Sequence, residues 1–175
     1  MEEHVIVIGG GIAGLTAASA LMKKGYGVHL VEKKDVLGGN VASWDRLFPE
    51  GRPAEEVLRH LEKGAEGISV YKGTSVKDVK EQEKGFSVEL SDGKSVRGDA
   101  VVLASGFSLF DAHLKEEYGY GIYDNVYTSA DLEDMFTREK VLTRSGKKPC
   151  RIGFVHCGLF RRGAEADAVG DFLQE

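Results

Sequence analysis

HVIVIGGGIAGLTAASALMKKGYGVHLVEKKDVLGG, residues 4–39, is the stretch that decides the fold of this chain. It begins with an apolar run at 5–8 that leads directly into a glycine-rich turn. Three glycines of this turn fit the pattern G-x-G-x-x-G: Gly9, Gly11 and Gly14. A helical stretch rich in small residues follows, and a second apolar run at 28–31 ends on Glu32, eighteen residues after the last of these glycines. This order of elements predicts a βαβ unit that binds a dinucleotide.

The glycines and the acidic residue have separate roles in such a site. Glycines let the backbone turn tightly and approach a pyrophosphate, and the start of the next helix offers unpaired N–H groups. The predicted contacts on this loop are Gly9, Gly11, Ile12, Ala13 and Gly14. Glu32 is expected to accept hydrogen bonds from ribose hydroxyls, and Lys33 lies either over the adenosine or on the solvated surface. A carboxylate here disfavours a 2′-phosphate, so FAD or NAD fits better than NADP.

A second glycine pair, Gly38-Gly39, favours FAD over NAD. An acidic strand end, a short loop and Gly-Gly resemble the extended fingerprint of flavoproteins with two dinucleotide-binding domains. The resemblance implies that this pair lets the chain pass close to FAD, with Asn40 and Val41 near the flavin ring. The alternative is a βαβ unit that has lost its ligand.

Length, charge and cysteine content limit the possible functions. The 175 residues suffice for one α/β domain, whereas a complete two-domain flavin oxidoreductase needs about twice that length. With a formal charge of −5 and no long basic run, the sequence does not predict binding to nucleic acid or to an anionic membrane. No apolar stretch approaches the ~20 residues of a membrane span. With no visible signal peptide and only two cysteines, we expect a cytoplasmic protein.

Hydrophobic periodicity predicts an α/β fold, a parallel sheet of the FAD-binding Rossmann type with an inserted antiparallel meander. The elements predicted first are a strand at 4–8, a helix at 12–24, a strand at 27–32, a loop at 40–53, a helix at 54–64 and a strand at 67–71. From 74 to 97 the pattern has period two, and the turn at 91–94 joins two strands of the meander. The resemblance to these flavoproteins implies that Val76, on the first meander strand, touches adenine through its backbone amide; packing in the core is the alternative.

The run DAVVLA at 99–104 predicts the strand that returns to the parallel sheet. It is followed by a turn that resembles the A-T-G turn at which this fold comes back to FAD, with serine in place of threonine. The resemblance implies that three residues lie near FAD: Ala104, Ser105 and Gly106.

The C-terminal part of the sequence is harder to divide into helices, strands and domains. We expect a helix at 129–137, a basic linker at 141–150, a buried strand at 151–157 and a helix at 162–174. The predicted FAD-binding domain is 1–145, and 146–175 is either the start of a second α/β unit or a C-terminal tail.

GFSLFDAHLKEEYGYGIYDNVYTSADLEDMF, residues 106–136, followed by RIGFVHC, residues 151–157, resembles the A-type subunit of heterodisulfide reductase and its relatives. With the N-terminal fingerprint, the resemblance covers about 4–157. It implies a cytoplasmic FAD protein that relays electrons among flavin, iron–sulfur clusters and partner subunits. The implied partners are other subunits of an electron-transfer complex or a second copy of the chain.

The chain departs from this family in its cysteines. The family often carries a cysteine-rich insertion after the first βαβ unit, where this chain has SWDRLFPEGRPAEEVL, residues 43–58. The family also has four cysteines that hold a [4Fe–4S] cluster, of which only Cys157 has a counterpart here. Because such a cluster needs four thiolates, no metal site is predicted.

Three functions remain open from the sequence. The first is an FAD-binding electron-transfer subunit or fragment. The second is a non-catalytic assembly or regulatory module derived from such a flavoprotein. The third is a small NAD-dependent dehydrogenase, which lacks an evident set of proton-transfer residues. The sequence contains no nucleophile–base pair, so the catalytic residues stay unassigned.

Overall fold

A four-stranded parallel sheet organises the computed structural model of this protein, which describes residues 3–155. The sheet and its helices comprise β1 (His4–Ile8), α1 (Ile12–Lys23), β2 (Gly27–Val31), α2 (Ala54–Gly64), β5 (Ser69–Tyr71), β9 (Ala100–Leu103) and the later helix α3 (Ser129–Thr137). The strands lie in the order β5-β2-β1-β9. The predicted α/β class is confirmed, and both α2 and α3 have the predicted bounds.

The central strand β1 is apolar at successive positions because the sheet is covered on both faces. Val5, Ile6 and Val7 are all buried. Helix α1 covers one face, where a core cluster forms from Val7, Leu15, Ala18, Val28, Leu30 and Ala65. The helix ends in a Schellman motif, in which Gly25 takes a positive φ of 88° and its N–H donates to the Met22 carbonyl.

The predicted meander covers the opposite face of the parallel sheet. Its strands are β6 (Val76–Glu81), β7 (Phe86–Leu90) and β8 (Ser95–Gly98), paired antiparallel in that order. They form a second cluster with the parallel sheet: Ile6, Val31, Val88, Leu90 and Val96. The contact is close at Gly98, where a Cβ would lie 2.8 Å from Cγ1 of Ile6. The meander is therefore packed directly on β1.

The segment predicted as a loop at 40–53 contains two small pieces of regular structure. A 3-10 turn spans Val41–Ser43, and a two-stranded antiparallel ribbon joins β3 (Arg46–Leu47) to β4 (Arg52–Pro53). The tip of this ribbon carries Phe48, whose side chain is almost fully exposed. The ribbon has only two paired residues on each strand, which is too short to produce a recognisable alternation in the sequence.

The predicted buried strand at 151–157 is wrong for the five residues that the structure describes. Residues 151–155 form no strand and are all exposed. Apolar composition favours a strand, but a strand also needs a hydrogen-bonding neighbour, and no strand of the described chain pairs with this run. Residues 156–157 and the predicted helix at 162–174 lie outside the described residues. Within 3–155, no helix is long and apolar enough to cross a membrane.

A pair of histidines lies on the meander face of the parallel sheet. The rings of His4 on β1 and His29 on β2 are stacked, with centroids 5.2 Å apart and an angle of 17° between their planes. The Nδ1 atoms of both rings are buried without a hydrogen-bond partner. Burial, together with the neighbouring His4, lowers the pKa of His29 below its usual 6.5. The folded protein therefore holds His29 in its neutral form more firmly than the unfolded chain does.

Acid should destabilise the protein through this pair. Because the folded-state pKa of His29 is lowered, stability is full above about pH 6.5 and is lost as the pH falls towards the folded-state value. We expect the unfolding free energy, measured by urea titration between pH 8 and pH 5, to fall less steeply in His29→Phe than in the wild type. His60→Gln, on exposed α2 surface, is the matched control and should follow the wild type. Equal slopes in His29→Phe and wild type would contradict the assignment.

Candidate functional site

Three chain segments meet at the carboxyl ends of the central strands. They are the β1–α1 turn, the glycine pair after β2 and the residues that follow β9. Gly11 and Gly38 form an isolated parallel bridge, and the N–H of Gly38 donates to the Gly10 carbonyl at 2.7 Å. The N–H of Ala104 donates to the Ile8 carbonyl at 2.8 Å. The β1–α1 turn, the second glycine pair and the residues after β9 are therefore neighbours.

Two of the motif glycines are required by backbone packing. Gly9 has a φ of 109°, and a Cβ there would lie 2.2 Å from the Ala104 carbonyl oxygen. At Gly14, a Cβ would lie only 1.8 Å from the Gly9 carbonyl oxygen. Both are overlaps with backbone that no side-chain rotation relieves. These glycines set how closely α1 approaches the ends of β1 and β9.

The second glycine pair lies against the first loop. At Gly38, φ is 103° and a Cβ would meet the Leu58 side chain of α2 at 2.8 Å. Gly39 also has a positive φ, 62°, and a Cβ there would be 3.2 Å from the Gly11 Cα. The two glycine loops are thus in contact, and α2 supports the second from behind.

Gly11 faces open space. A Cβ at Gly11 would have one neighbour within 4 Å, the Gly39 Cα at 3.8 Å. Gly11 is the N-cap of α1, no side chain caps this helix end, and its first turn contains no acidic residue. An uncapped helix N-terminus carries a partial positive charge and attracts anions. This opening between the glycine loops therefore fits a pyrophosphate.

Glu32 lies at the end of β2, beside the same loops. The residue is 5% exposed. Its Oε2 accepts a hydrogen bond from the Gly10 N–H at 2.7 Å, and its Oε1 accepts one from the Lys34 N–H at 2.8 Å. The sequence did not predict this link to the glycine loop. Because a carboxylate offers about four lone-pair sites, the two remaining sites can still accept ribose hydroxyls.

The remaining predicted residues lie in different environments. Asn40 is half-buried, and its Nδ2 donates to the Phe107 carbonyl at 3.0 Å, which joins the second glycine loop to the segment after β9. Val41 is buried, and Val76 packs half-buried against the second core cluster. Ala104 is half-buried beside Gly9 and Gly14. Of the other predicted residues, Ile12 is half-buried, and Ala13, Lys33, Ser105 and Gly106 are exposed.

Helix α3 contacts the segment after the second glycine loop through a hydrogen bond that the sequence did not reveal. The N–H of Asp45 donates to Oε2 of Glu133 at 2.8 Å. Thr128 and Asp131 form a capping box at the start of α3. Burial acts to raise the pKa of Asp131, but hydrogen bonds from Thr128 and Tyr120 bring it below its usual value. Burial and Asp131 together raise the pKa of Tyr120, so this hydroxyl stays protonated and acts as a donor.

The candidate site is open to the surface beside Gly11. Two surface clefts of about 370 and 290 Å³ lie beside α1, and none of the glycine-loop residues lines either. Within residues 3–155, no group of three or more histidine, cysteine or acidic side chains is placed to hold a metal ion. The site is therefore built from backbone N–H groups and one carboxylate, a set suited to a nucleotide.

A family model described as pyridine nucleotide-disulphide oxidoreductase matches residues 3–143. The chain belongs to this family. The match covers the parallel sheet, the meander and α3. The glycine loops and Glu32 thus lie within the part of the chain that matches this family of pyridine nucleotide-disulphide oxidoreductases.

Curated relatives agree with the resemblance seen in the sequence. The chain is 27% identical to a CoB–CoM heterodisulfide reductase iron-sulfur subunit of type A from Methanopyrus kandleri over 247 residues, which covers 90% of this chain and 37% of the relative. It is 25% identical to the corresponding protein of Methanocaldococcus jannaschii, with the same coverage. The chain thus spans little more than a third of these relatives' length. The matched span exceeds the 175 residues of this chain, so the relatives carry additional residues inside it.

Two solved structures of oxidoreductases share the fold of this chain. Thioredoxin reductase of T. acidophilum aligns with a TM-score of 0.55 and 23% identity, over 63% of this chain and 38% of that chain. L-proline dehydrogenase of P. horikoshii aligns with a TM-score of 0.54 and 28% identity, over 65% of this chain and 25% of that chain. The predicted fold class is confirmed by both alignments.

Two alanine substitutions in the same loop should have opposite outcomes. Gly14→Ala forces a Cβ onto the Gly9 carbonyl, so we expect a loss of about 1–3 kcal/mol or more in unfolding free energy. Gly11→Ala places its Cβ in open space at a negative φ of −77°, so we expect stability within about 0.5 kcal/mol of the wild type. Chemical denaturation of both variants checks the pair. A stable Gly14→Ala would show that α1 does not approach β1 this closely.

Proposed function

We propose that this chain is an FAD-binding electron-transfer flavoprotein, a subunit or fragment that relays electrons within a larger iron–sulfur and flavin complex. The observation that carries the proposal is the opening beside Gly11, where an uncapped helix N-terminus, a second glycine loop and a buried carboxylate converge. The match to the A-type subunits of heterodisulfide reductase supports the same conclusion.

Each part of the crevice has a role in this proposal. The N-terminus of α1, at Gly11, Ile12 and Ala13, holds the pyrophosphate. Gly9 and Gly14 bring that helix close enough to the sheet to present its N–H groups. Glu32 accepts hydrogen bonds from the ribose hydroxyls while it holds the loop through Gly10. A hydrogen-bonded carboxylate at this position repels a 2′-phosphate and so selects FAD over NADP-type ligands.

The flavin end of the ligand lies, in this proposal, between the second glycine loop and the turn after β9. Gly38, Gly39, Asn40 and Val41 form one side, and Ala104–Gly106 form the other. The hydrogen bond from Asn40 to Phe107 holds the two sides together. Lys33 lies over the adenosine, and the backbone of Val76 faces the adenine. The bound FAD supplies the redox chemistry, and the chain orients it and sets its electrostatic surroundings.

Because the candidate site is open, we expect a partner to cover it. We propose that the protein works in the cytoplasm with other subunits of an electron-transfer complex or as a homodimer. We also propose 1–145 as the FAD-binding domain, with 146–175 as the start of a second α/β unit or a tail. A non-catalytic assembly module is the second candidate, and the many exposed apolar side chains after β9 favour it.

Flavin binding is the decisive experiment. We expect the purified chain to show a flavin absorbance spectrum, and the supernatant after heat denaturation to contain FAD identified by chromatography. Gly11→Asp places a carboxylate at the α1 N-terminus, where it repels the pyrophosphate, so retained FAD should drop about tenfold or more.

Ala20→Asp adds the same charge to an exposed position later in α1, and it should retain FAD like the wild type. Equal FAD content in both variants would show that the pyrophosphate does not bind at the α1 N-terminus. A wild-type chain that stays colourless in excess FAD would favour the assembly module instead.

A further inference from the structure

The larger of the two surface clefts lies between α1 and α2, away from the glycine loops. Its volume of about 370 Å³ is within the range of about 300–1,000 Å³ that holds small molecules. The lining residues come from the second half of α1 and the last turn of α2. Gly11 is at the opposite end of α1, whose 12 residues span about 18 Å. This cleft, called here the α1–α2 cleft, is therefore separate from the candidate nucleotide site.

A buried hydroxyl without a partner lies in this cleft. Ser19 lines the cleft and is only 8% exposed. Its Oγ makes no hydrogen bond to any other residue that the structure describes. Thr74, another buried hydroxyl residue, instead pairs with the Ser91 hydroxyl at 3.0 Å. Because buried polar groups are hydrogen-bonded as a rule, the free hydroxyl of Ser19 indicates a partner from outside the chain.

Gly64 keeps this hydroxyl accessible. A Cβ at position 64 would lie 2.8 Å from Oγ of Ser19. Gly64 lies within α2 and does not have a positive φ, so the backbone conformation does not require a glycine there. The space beside the Ser19 hydroxyl does require one, since any side chain at this position would fill it.

Basic side chains line the same cleft, and none of the described residues that line it is acidic. Lys23 and Lys63 are exposed and make no ion pair with a described carboxylate. His60 and Thr16 add two further side chains that can donate hydrogen bonds. Glu62, the neighbour of Lys63 in sequence, lines the smaller cleft instead. The α1–α2 cleft is thus cationic, although the whole chain has a formal charge of −5.

The helix ends do not cancel this positive charge. Helix α1 ends at Lys23 and α2 ends at Gly64, and both residues line the cleft. The C-terminus of a helix carries about half a negative charge. Two such ends amount to about one negative charge, which the two ammonium groups exceed. The cleft therefore attracts anions, and it attracts a doubly charged group most strongly.

We propose that the α1–α2 cleft binds a phosphate group, either as inorganic phosphate or as part of a small phosphomonoester. The ammonium groups of Lys23 and Lys63 hold the phosphate, and the hydroxyls of Ser19 and Thr16 donate to its oxygens. A phosphomonoester carries about −1.5 to −2 charges at pH 7 and three strong acceptor oxygens. This matches two cations and a set of neutral donors better than a carboxylate does.

The same cleft offers apolar surface to an organic group. Ala20 of α1 and Leu61 of α2 line it beside the polar residues. A phosphomonoester with a small apolar body therefore gains contacts that inorganic phosphate lacks, because apolar surface is removed from water. The two sources of the phosphate group thus differ in expected affinity.

Titration of the full chain with inorganic phosphate, phenyl phosphate and benzoate tests the site. Calorimetry gives the dissociation constants, and amide NMR shifts locate the binding. We expect the phosphate probes to shift the amide resonances of Ser19 and Gly64, and benzoate to bind about tenfold or more weakly than phenyl phosphate. Tighter binding of phenyl phosphate than of inorganic phosphate would assign a phosphomonoester, and equal binding would assign inorganic phosphate.

Substitutions in the cleft test the named contacts. Lys23→Gln/Lys63→Gln removes both cations and should raise the dissociation constant of phenyl phosphate about tenfold or more. Ser19→Ala removes only the unpaired hydroxyl and should raise it about threefold or more. The matched control is Lys24→Gln, an exposed lysine that does not line the cleft, and it should bind like the wild type. Circular dichroism establishes that every variant is folded.

This proposal does not depend on flavin binding, and two variants separate the sites. Ala20→Asp puts a carboxylate in the cleft and should lose phenyl phosphate but retain FAD, whereas Gly11→Asp should do the reverse. A wild type that binds neither phosphate probe at millimolar concentration, or shifts confined to residues 9–14, would overturn the proposal. Benzoate binding as tightly as phenyl phosphate, or equal affinity in Lys23→Gln/Lys63→Gln and the control, would overturn it as well.

Discussion

The structure depends on one close backbone approach, that of α1 to the ends of β1 and β9. At Gly14 the helix backbone lies against the Gly9 carbonyl, and Gly9 in turn lies against the Ala104 carbonyl. No side chain fits between these three stretches of backbone. The approach places the free N–H groups of the helix at the carboxyl edge of the sheet, where a ligand of an open α/β sheet binds. Fold and candidate site therefore share a single packing constraint.

A buried carboxylate reinforces this constraint. An ionised group in the interior is costly unless it is hydrogen-bonded. Glu32 meets that requirement through the N–H groups of Gly10 and Lys34. The first of these bonds joins the end of β2 to the turn after β1, so the acidic residue shapes the loop. Replacement of Glu32 would consequently change stability as well as the proposed nucleotide binding, which makes Gly11 the cleaner position for a binding test.

The sequence predicted what is encoded locally. The glycine loops, the helices α1 and α2 and the parallel strands follow from turn residues and short-range periodicity, and their positions agree with the structure.

The contacts between distant segments could not be predicted from the sequence. The bond from Asn40 to Phe107 spans 67 residues, and the stacking of His4 on His29 depends on the register of β1 against β2. Residues 151–155 are a second example. Their apolar pattern favours a strand, but it does not show whether a neighbouring strand is available to pair with them. Binding roles are still harder to predict from the sequence, because hydrogen bonds to a ligand depend on geometry that neither composition nor spacing encodes.

Because the candidate site is open, a partner that covers it would change how tightly the proposed cofactor binds. In the proposed function, a flavin held only by the α1 N-terminus and two loops would expose much of its ring to water, and affinity falls when apolar ligand surface stays wet. The segment after β9 already approaches the second glycine loop through Asn40, and it exposes many large apolar side chains. A chain that covers this segment would therefore also shield the proposed flavin site. Association and cofactor retention are therefore expected to be thermodynamically coupled, each strengthening the other by the same free energy.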